Sequence, residues 1–389
     1  MRVSLLLQRE PFGELLARTL APYWSAELGQ PVDVRWAQPA SGDQIWQGNI
    51  YLNFFCVAAV NPSCFDIIVQ EFGFARSVWR RGLQSAYVRA AVTPPFRSLL
   101  SQVSFGVSVP VPDAESKLVI GGNHRLRVIE PARARSTVIH KAGYSRLSFD
   151  REVTARRGLA TKLAPPFEGV DTSGLAFREE YFAGTPANRM PAAAEEKARQ
   201  AAVNRLVAEI HRPSMSVFSL DEHVARVCAD LIALCPEATN IIGEWKSWFA
   251  EFASVPIGVC FTHGDFQGAN ILVQDRRLHV IDWETASERS QLYDLATLDS
   301  QIRLAPVALQ AWEQTLARWT SVPASAPRLE VAPESRGAWL AHGGVWWLEE
   351  ILLQFEESRL AEHLSGHNTR DAMLLQSLGH ALDYLRRLK

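Results

Sequence analysis

The sequence has 389 residues, enough for two or three domains with a sizeable core, and its hydrophobic (47%) and charged (21%) fractions are those of a globular protein. Its formal net charge of −2 argues against a dedicated nucleic-acid-binding protein. The five cysteines are odd in number and show no C-x-x-C spacing, which argues against a disulfide framework and a zinc site. The first apolar run is too short for a signal-peptide core, and no run approaches the roughly 18 apolar residues of a membrane span, so we expect a cytoplasmic protein.

Residues 1–115 open the chain with mixed elements. The pattern predicts a helix from Pro11 to Leu28 and a buried strand at Ile50–Val60, which is rich in β-branched and aromatic residues. The run Val109–Ser116 holds two prolines and several polar residues and indicates a boundary. We therefore treat 1–115 as an N-terminal extension of unknown role.

A basic segment lies inside this extension. Residues 72–112 contain no Asp or Glu but five arginines, namely Arg76, Arg80, Arg81, Arg89 and Arg97. At helical spacing Trp79, Leu83 and Tyr87 share one face. One interpretation is an interfacial helix that contacts an anionic membrane surface, which would bring the protein to the inner face of the membrane. The other is a helix packed on the rest of the protein, with its arginines solvated or paired.

Residues 116–183 show strand after strand. Apolar runs at 118–120, 126–129 and 137–140 are followed by a further strand within Leu175–Phe182. Gly121 and Gly122 separate the first two runs and would let backbone N–H groups approach phosphates closely, although Gly-Gly is also an ordinary hairpin turn. Residues 184–389 are mainly helical in pattern, at 193–211, 222–234, 244–252, 305–319, 343–359 and from 374 to 385.

The stretch Val259–Glu284 interrupts these helices with three short apolar runs. Polar residues stand where the runs end, namely His263, Asp265, Asn270 and Asp282. Asp265 and Asn270 have the D-x-x-x-x-N spacing of a kinase catalytic loop, and a hairpin of twelve residues can return Asp282 to the side of Asn270. The alternative is a chance H-G-D whose polar residues cap turns.

The motif H-G-D-x-x-x-x-N-I-L followed by V-I-D-W-E resembles the aminoglycoside phosphotransferase and choline kinase family. The resemblance implies an α+β, two-lobed protein-kinase-like fold, with 116–183 as the small lobe and 184–389 as the helical large lobe. It also implies an enzyme that uses ATP and Mg²⁺ to phosphorylate a hydroxyl of a small molecule.

Carried over by position, the resemblance implies that Asp265 is the catalytic base and that Asn270 and Asp282 bind Mg²⁺. It makes His263 a structural member of the catalytic loop and Glu284 an outer-sphere metal or water partner. Asp294 resembles the family's buried Asp, which ties the catalytic loop to the helix below it.

The nucleotide side of the site is implied in the same way. Lys141 follows the third strand, where the kinase fold keeps the lysine that meets the α and β phosphates, and Glu152 opens the next helix as its ion-pair partner. Tyr181 and Phe182 precede the hinge that holds adenine through backbone groups. The alternative is a solvated Lys141 and a Glu152 favoured by the helix dipole.

The acceptor is the most open question. Gly264 replaces the Arg of H-R-D, so we expect no phosphorylated activation loop and no protein-kinase activity. A saccharide of the bacterial cell envelope is the first hypothesis, and an aminoglycoside or a choline-type amino alcohol is the second. A nucleotide-binding scaffold without catalysis is the rival from another class.

Overall fold

The computed structural model describes residues 2–72, 78–300, 331, 333, 335–360 and 367–389. They form two compact units. Among the described residues, the first unit comprises 2–146 and 165–183, and the second comprises 147–164, 184–360 and 367–389. The chain therefore passes from one unit to the other after Arg146, after Ala164 and after Ala183.

One antiparallel sheet organises the described part of the first unit. Its strands are β1 (Val34–Trp36), β2 (Gln44–Asn49), β3 (Phe54–Val57), β4 (Val103–Val107), β5 (Leu118–Gly121), β6 (Arg125–Glu130), β7 (Arg135–His140), β8 (Phe167–Val170) and β9 (Ala176–Glu180). They pair in the order β1-β4-β2-β3-β5-β6-β7-β9-β8. The helices of this unit are α1 (Val3–Arg9), α2 (Phe12–Leu28), α3 (Asp66–Phe72), α4 (Val78–Val92) and α5 (Phe96–Leu99).

The sheet runs through the boundary that the sequence indicated near residue 115. Phe55 of β3 pairs with Val119 of β5, so strands from 1–115 and from 116–183 share one sheet. They also share one core, in which Trp46 and Phe105 belong to the same buried cluster as Leu126. The N-terminal residues are therefore an integral part of this unit.

The predicted helix at 11–28 is confirmed as α2, but the predicted strand at 50–60 shortens to β3. Asn49 explains the difference. Its Oδ1 accepts hydrogen bonds from the backbone N–H groups of Tyr51 (3.1 Å) and Leu52 (3.0 Å). A side chain bonded in this way to its own following backbone makes a turn, so residues 50–53 form the turn between β2 and β3, where the apolar pattern predicted the first residues of a strand.

The described part of the second unit is mainly helical. Its helices are α6 (Leu147–Arg157), α7 (Ala192–Leu206), α8 (Leu220–Leu234), α9 (Thr239–Phe249), α10 (Tyr293–Ser300), α11 (Arg336–Ser358) and α12 (His367–Leu388). Two small antiparallel sheets, β10-β13-β14 and β11-β12-β15, consist of β10 (Thr185–Pro186), β11 (Ser216–Ser219), β12 (Pro256–Thr262), β13 (Ile271–Gln274), β14 (Arg277–Val280) and β15 (Ser287–Ser290). The helix predicted at 305–319 lies outside the described residues. The α+β class is confirmed.

The aromatic residues predicted at 244–252 pack in the core of this unit. Trp245, Trp248 and Phe249 are buried in α9, and a Cβ at Gly344 of α11 would lie 3.0–3.2 Å from their rings. The glycine therefore lets α11 approach α9 closely.

Two absences follow from the described residues. All five cysteines are buried and none forms a disulfide, as expected. None of the helices in the described ranges combines the length and hydropathy that a bilayer-spanning segment needs.

Candidate active site

The loop between β12 and β13, residues 263–270, is held from below by Asp294 of α10. The carboxylate accepts hydrogen bonds from the backbone N–H groups of His263 (2.8 Å) and Gly264 (2.9 Å) and from Nε2 of His211 (3.0 Å). Burial raises the pKa of Asp294, but the hydrogen bond and charge of His211, with the contribution of His263, outweigh it and hold the pKa below its ordinary value. The prediction that Asp294 connects this loop to the helix below it is confirmed.

The ring of His263 is fixed by two backbone contacts. Its Nε2 donates to the carbonyl of Ile281 (2.8 Å), and its Nδ1 accepts the N–H of Asp265 (3.1 Å). These contacts specify the neutral tautomer with the proton on Nε2. The ring also lies 4.5 Å from that of Trp283. His263 thus links the start of the loop to the residues that precede Asp282.

Gly264 occupies a position that no other residue type fits. Its φ is +83°, and a Cβ there would lie 2.4 Å from the carbonyl oxygen of Thr285 and 2.8 Å from Nη1 of Arg289. Arg289 is buried and donates to Thr262 Oγ1 and Thr285 O, both at 3.0 Å. The absence of the H-R-D arginine therefore has a local cause, because this backbone admits only glycine.

Both carboxylate oxygens of Asp265 accept an amide proton from their own loop. Gln267 Nε2 donates to Oδ1 (2.8 Å) and Asn270 Nδ2 donates to Oδ2 (2.9 Å). These two hydrogen bonds fix the orientation of the carboxylate. The side chain is only partly buried. Gln267 was missed from the sequence, where its only signal was its place two residues after Asp265.

Asn270 and Asp282 lie at adjacent ends of the β13–β14 hairpin. Ile271 pairs with Val280, and the N–H of Ile281 donates to the carbonyl of Asn270 (3.0 Å), so Asp282 is the next residue after this contact. The predicted hairpin brings the two backbones together. Asp282 has φ 67° and ψ 58°, a left-handed conformation that costs a non-glycine residue on the order of 1–2 kcal/mol and is enriched at functional sites.

These donors fit Mg²⁺. The side-chain amide of Asn270 donates to Asp265 O and to Asp265 Oδ2, so both protons are used and the carbonyl oxygen is the atom left for a metal. With Asp282 it would provide oxygen ligands, which Mg²⁺ prefers, and Mg²⁺ often takes only one or two protein ligands beside phosphates and water. No cluster of three or more His, Cys, Asp or Glu suited to a metal is found in the described parts of the chain. Glu284 lies two residues after Asp282, in the turn Trp283–Thr285, and is partly buried.

In the first unit, Lys141 is engaged by a residue that the sequence did not suggest. Its Nζ donates to Glu10 Oε1, to Gly122 O (3.1 Å) and to Asn123 O (2.9 Å), and the side chain is fully buried. Glu152 is buried in α6 of the second unit. Its pairing with Lys141 would join the two units and stays a prediction.

The other predicted nucleotide contacts all lie in the first unit. The N–H of Gly121 donates to Asn53 Oδ1 (3.1 Å), and its carbonyl accepts from Asn53 Nδ2 (2.9 Å). Both backbone polar groups of this glycine therefore bond a residue of the N-terminal segment 1–115. The N–H of Tyr181 donates to the carbonyl of Ala134 (2.7 Å), and Phe182 is buried. Their contact with adenine stays a prediction.

Comparison with known proteins gives one family match. Residues 180–325 match the model of the phosphotransferase enzyme family, APH, and this range contains the whole loop and hairpin described above. A search of the curated proteins found no match.

Solved structures of small-molecule kinases overlap the chain at low identity. A choline/ethanolamine kinase family protein from Mesorhizobium loti is 16% identical, with 78% of this chain and 99% of that chain covered and a TM-score of 0.42. Choline kinase LicA from Streptococcus pneumoniae is 12% identical (70% and 92% covered, TM-score 0.40). A putative aminoglycoside phosphotransferase from Ralstonia eutropha is 12% identical (70% and 92% covered, TM-score 0.43).

The resemblance predicted from H-G-D-x-x-x-x-N and V-I-D-W-E is confirmed over residues 180–325, the range that matches the model of the phosphotransferase enzyme family and contains these motif residues.

Proposed function

We propose that the protein is an ATP- and Mg²⁺-dependent phosphotransferase that phosphorylates a hydroxyl of a small molecule. The observation that carries this proposal is the environment of Asp265, whose two oxygens each accept one amide proton within a loop anchored on Asp294. Such a carboxylate is fixed in orientation, which a base that orients a hydroxyl needs.

In this mechanism Asp265 accepts a hydrogen bond from the acceptor hydroxyl and takes its proton as the hydroxyl oxygen bonds the γ-phosphorus of ATP and the bond from that phosphorus to the departing ADP breaks. Gln267 and Asn270 keep the carboxylate from rotating. Asn270 Oδ1 and Asp282 would hold Mg²⁺, which when bound neutralises charge on the transferred phosphoryl group.

A coupled ADP-release assay tests this function. Asp265→Asn should lower kcat by about 10²–10⁴-fold, because the amide accepts no proton. Asp275→Asn is the matched control, since this exposed aspartate in the β13–β14 turn undergoes the same change of charge. If saccharides, aminoglycosides and amino alcohols all give the same rate with wild type and Asp265→Asn, the protein is a nucleotide-binding scaffold and the proposal fails.

Among acceptors, we favour a saccharide of the bacterial cell envelope over a cationic amino alcohol or aminoglycoside. Four acidic residues of α11 stand near each other in sequence and would suit a cationic acceptor. Each has a partner within the second unit: Glu349 accepts from His223, Glu350 from Tyr293 and Glu356 from Arg151, and Glu357 lies 3.9 Å from Arg370. These contacts use the acids in packing α11, so they give no support for a positively charged acceptor.

We further propose that α4 and α5 contact an anionic membrane surface at its inner face. Trp79 and Leu83, one turn apart on α4, and Phe96 and Leu99 on α5 are each more than half exposed. Arg89 is exposed, whereas Arg97 is buried and donates to the carbonyl of Ala58. Exposed apolar side chains in a segment without any acid favour an anionic lipid surface.

Vesicle flotation tests this contact. The protein should float with phosphatidylglycerol vesicles at low salt and not with phosphatidylcholine vesicles, and Trp79→Ser with Leu83→Ser should abolish flotation. The control is Val217→Ser, which removes a similarly exposed apolar side chain in the second unit. Equal flotation with both lipids, or none, would refute the contact.

A further inference from the structure

A buried arginine of the second unit contacts both ends of the segment that carries the candidate catalytic residues. Arg289 of β15 is 5% exposed, and its Nη1 donates to Oγ1 of Thr262 and to the carbonyl of Thr285, both at 3.0 Å. Thr262 ends β12, and Thr285 ends the turn that follows β14. The segment between these two contacts, 262–285, contains the loop 263–270 and the whole β13–β14 hairpin.

The pairing of β12 with β15 explains how one side chain reaches both ends. Cys260 pairs with Arg289 and Thr262 pairs with Ser287, so Arg289 and Thr262 project from the same face of the two strands. The ladder between these strands ends at the pair Thr262–Ser287. Arg289 therefore adds a contact beyond the end of the sheet, at Thr285, where backbone pairing of β12 with β15 no longer holds the chain.

The charge of Arg289 makes it a costly residue for this place. Its contacts with the described residues are to neutral groups, namely the two oxygens of Thr262 and Thr285 and the ring of Tyr293, whose centre lies 4.7 Å from its Cζ. Burying a charge without an acid beside it costs folding free energy, and an apolar side chain could fill the same space. We therefore attribute the arginine to its two hydrogen bonds and not to packing.

The guanidinium also lies against the residue that precedes Asp265. Its Nη1 is 2.8 Å from the position that a Cβ of Gly264 would take. Thr285 Oγ1 donates to the carbonyl of His263 (3.2 Å), and Nδ1 of His263 accepts the N–H of Asp265 (3.1 Å). A displacement of Thr285 would therefore reach the backbone of Asp265 through His263.

We propose that Arg289 is a positioning residue for the candidate base: it joins the two ends of the segment 262–285 and so fixes Asp265 where it meets the acceptor hydroxyl. This inference rests on the proposed phosphotransferase function. The ends of the hairpin that carry Asn270 and Asp282 are held together by the pairing of β13 with β14 instead. The effect of Arg289 should therefore appear in turnover and not in the binding of ADP with Mg²⁺.

Steady-state kinetics and calorimetry of Arg289→Met test this role, with the saccharides, aminoglycosides and amino alcohols of the ADP-release assay as acceptors. The kcat should fall about 10–100-fold, because a displacement of about 1 Å at a reacting group costs on the order of 10²-fold in rate. The affinity for ADP with Mg²⁺ should change by less than about 2-fold, with the same number of binding sites per chain. An unchanged number of sites shows that the slow variant is folded.

Three further variants separate the hydrogen bonds from general packing. Arg289→Lys should keep kcat within about 5-fold of wild type, because both bonds start from one nitrogen and an ammonium has three donors. Thr262→Val removes one of the two hydrogen-bond acceptors, so it should lower kcat more in wild type than in Arg289→Met. Arg205→Met is the matched control with unchanged kcat, since Arg205 also donates to two backbone carbonyls of this unit, those of Leu278 (2.8 Å) and Lys162 (2.6 Å).

The outcomes distinguish the two proposals. A kcat of Arg289→Met within about 2-fold of wild type, or effects of Thr262→Val and Arg289→Met that simply add on a logarithmic scale, would overturn the positioning role in an active enzyme. So would a lysine variant as slow as the methionine variant, or a loss of ADP binding that parallels the loss of kcat. If wild type releases no more ADP than Asp265→Asn with every acceptor, the proposed function itself fails.

Discussion

Replacing Gly264 with alanine should cost about 2–5 kcal/mol of unfolding free energy and most of the activity. The left-handed backbone alone costs an alanine about 1–2 kcal/mol. The added Cβ would also lie 2.4 Å from a backbone carbonyl, that of Thr285, which cannot rotate away, and such overpacking typically costs about 1–3 kcal/mol more. Relief requires the loop to shift, and a misplacement of about 1 Å at Asp265 can cost on the order of 10²-fold in rate.

Urea unfolding and steady-state kinetics measure both effects. Gly268→Ala is the matched control in the same loop, because its Cβ would meet Asn188 at a tight but tolerable 3.2 Å. Gly243→Ala in α9 meets nothing within 4 Å and should stabilise the protein by about 0.5–1 kcal/mol. If the unfolding free energy of Gly264→Ala lies within about 0.5 kcal/mol of the wild-type value and the variant keeps its activity, this loop geometry is refuted.

Asp294→Asn should lower the free energy of unfolding in urea by about 3–5 kcal/mol, because the NH₂ group of the new amide would face N–H groups that the wild-type carboxylate accepts. A loss below about 1 kcal/mol would contradict this expectation. Burial lowers the pKa of His342 to about 4. The folding stability that its neutral imidazole contributes is therefore present above the unfolded pKa near 6.5. About 3 kcal/mol of this stability is lost as the pH falls to 4. His342→Gln should flatten this part of the pH–stability curve, and an unchanged curve would exclude His342 as the cause. Asn270→Ala should raise the Mg²⁺ concentration for half-maximal activity on the order of 10–100-fold, and an unchanged value would remove Asn270 from the metal site.

The loop at 263–270 was predictable because the spacing that specifies it is local in sequence. The spacing from Asp265 to Asn270 and on to Asp282 fits a loop and a hairpin, and both are formed by neighbouring residues. The tie to Asp294 was also predictable, since the sequence around it resembles the family. The need for glycine at 264 was not, because it depends on the carbonyl of Thr285, which the sequence does not place.

The environment of Lys141 was less predictable because its contacts are distant in sequence. Glu10 is 131 residues from Lys141, and no periodicity links them. The sequence also separated 1–115 from the strands that follow, since prolines and polar residues at 109–116 are typical of a linker. The pairing of Phe55 with Val119 depends on the order of strands in the sheet, which the apolar pattern does not specify.

The shared sheet has a consequence for how this protein can be divided. A chain that starts at residue 116 would uncover the edge of β5 that pairs with β3, a ready template for intermolecular strand addition and aggregation. It would also leave the buried ammonium of Lys141 without its acid. The strands from β5 to β9 and the preceding hundred residues would have to be inherited, expressed and purified together.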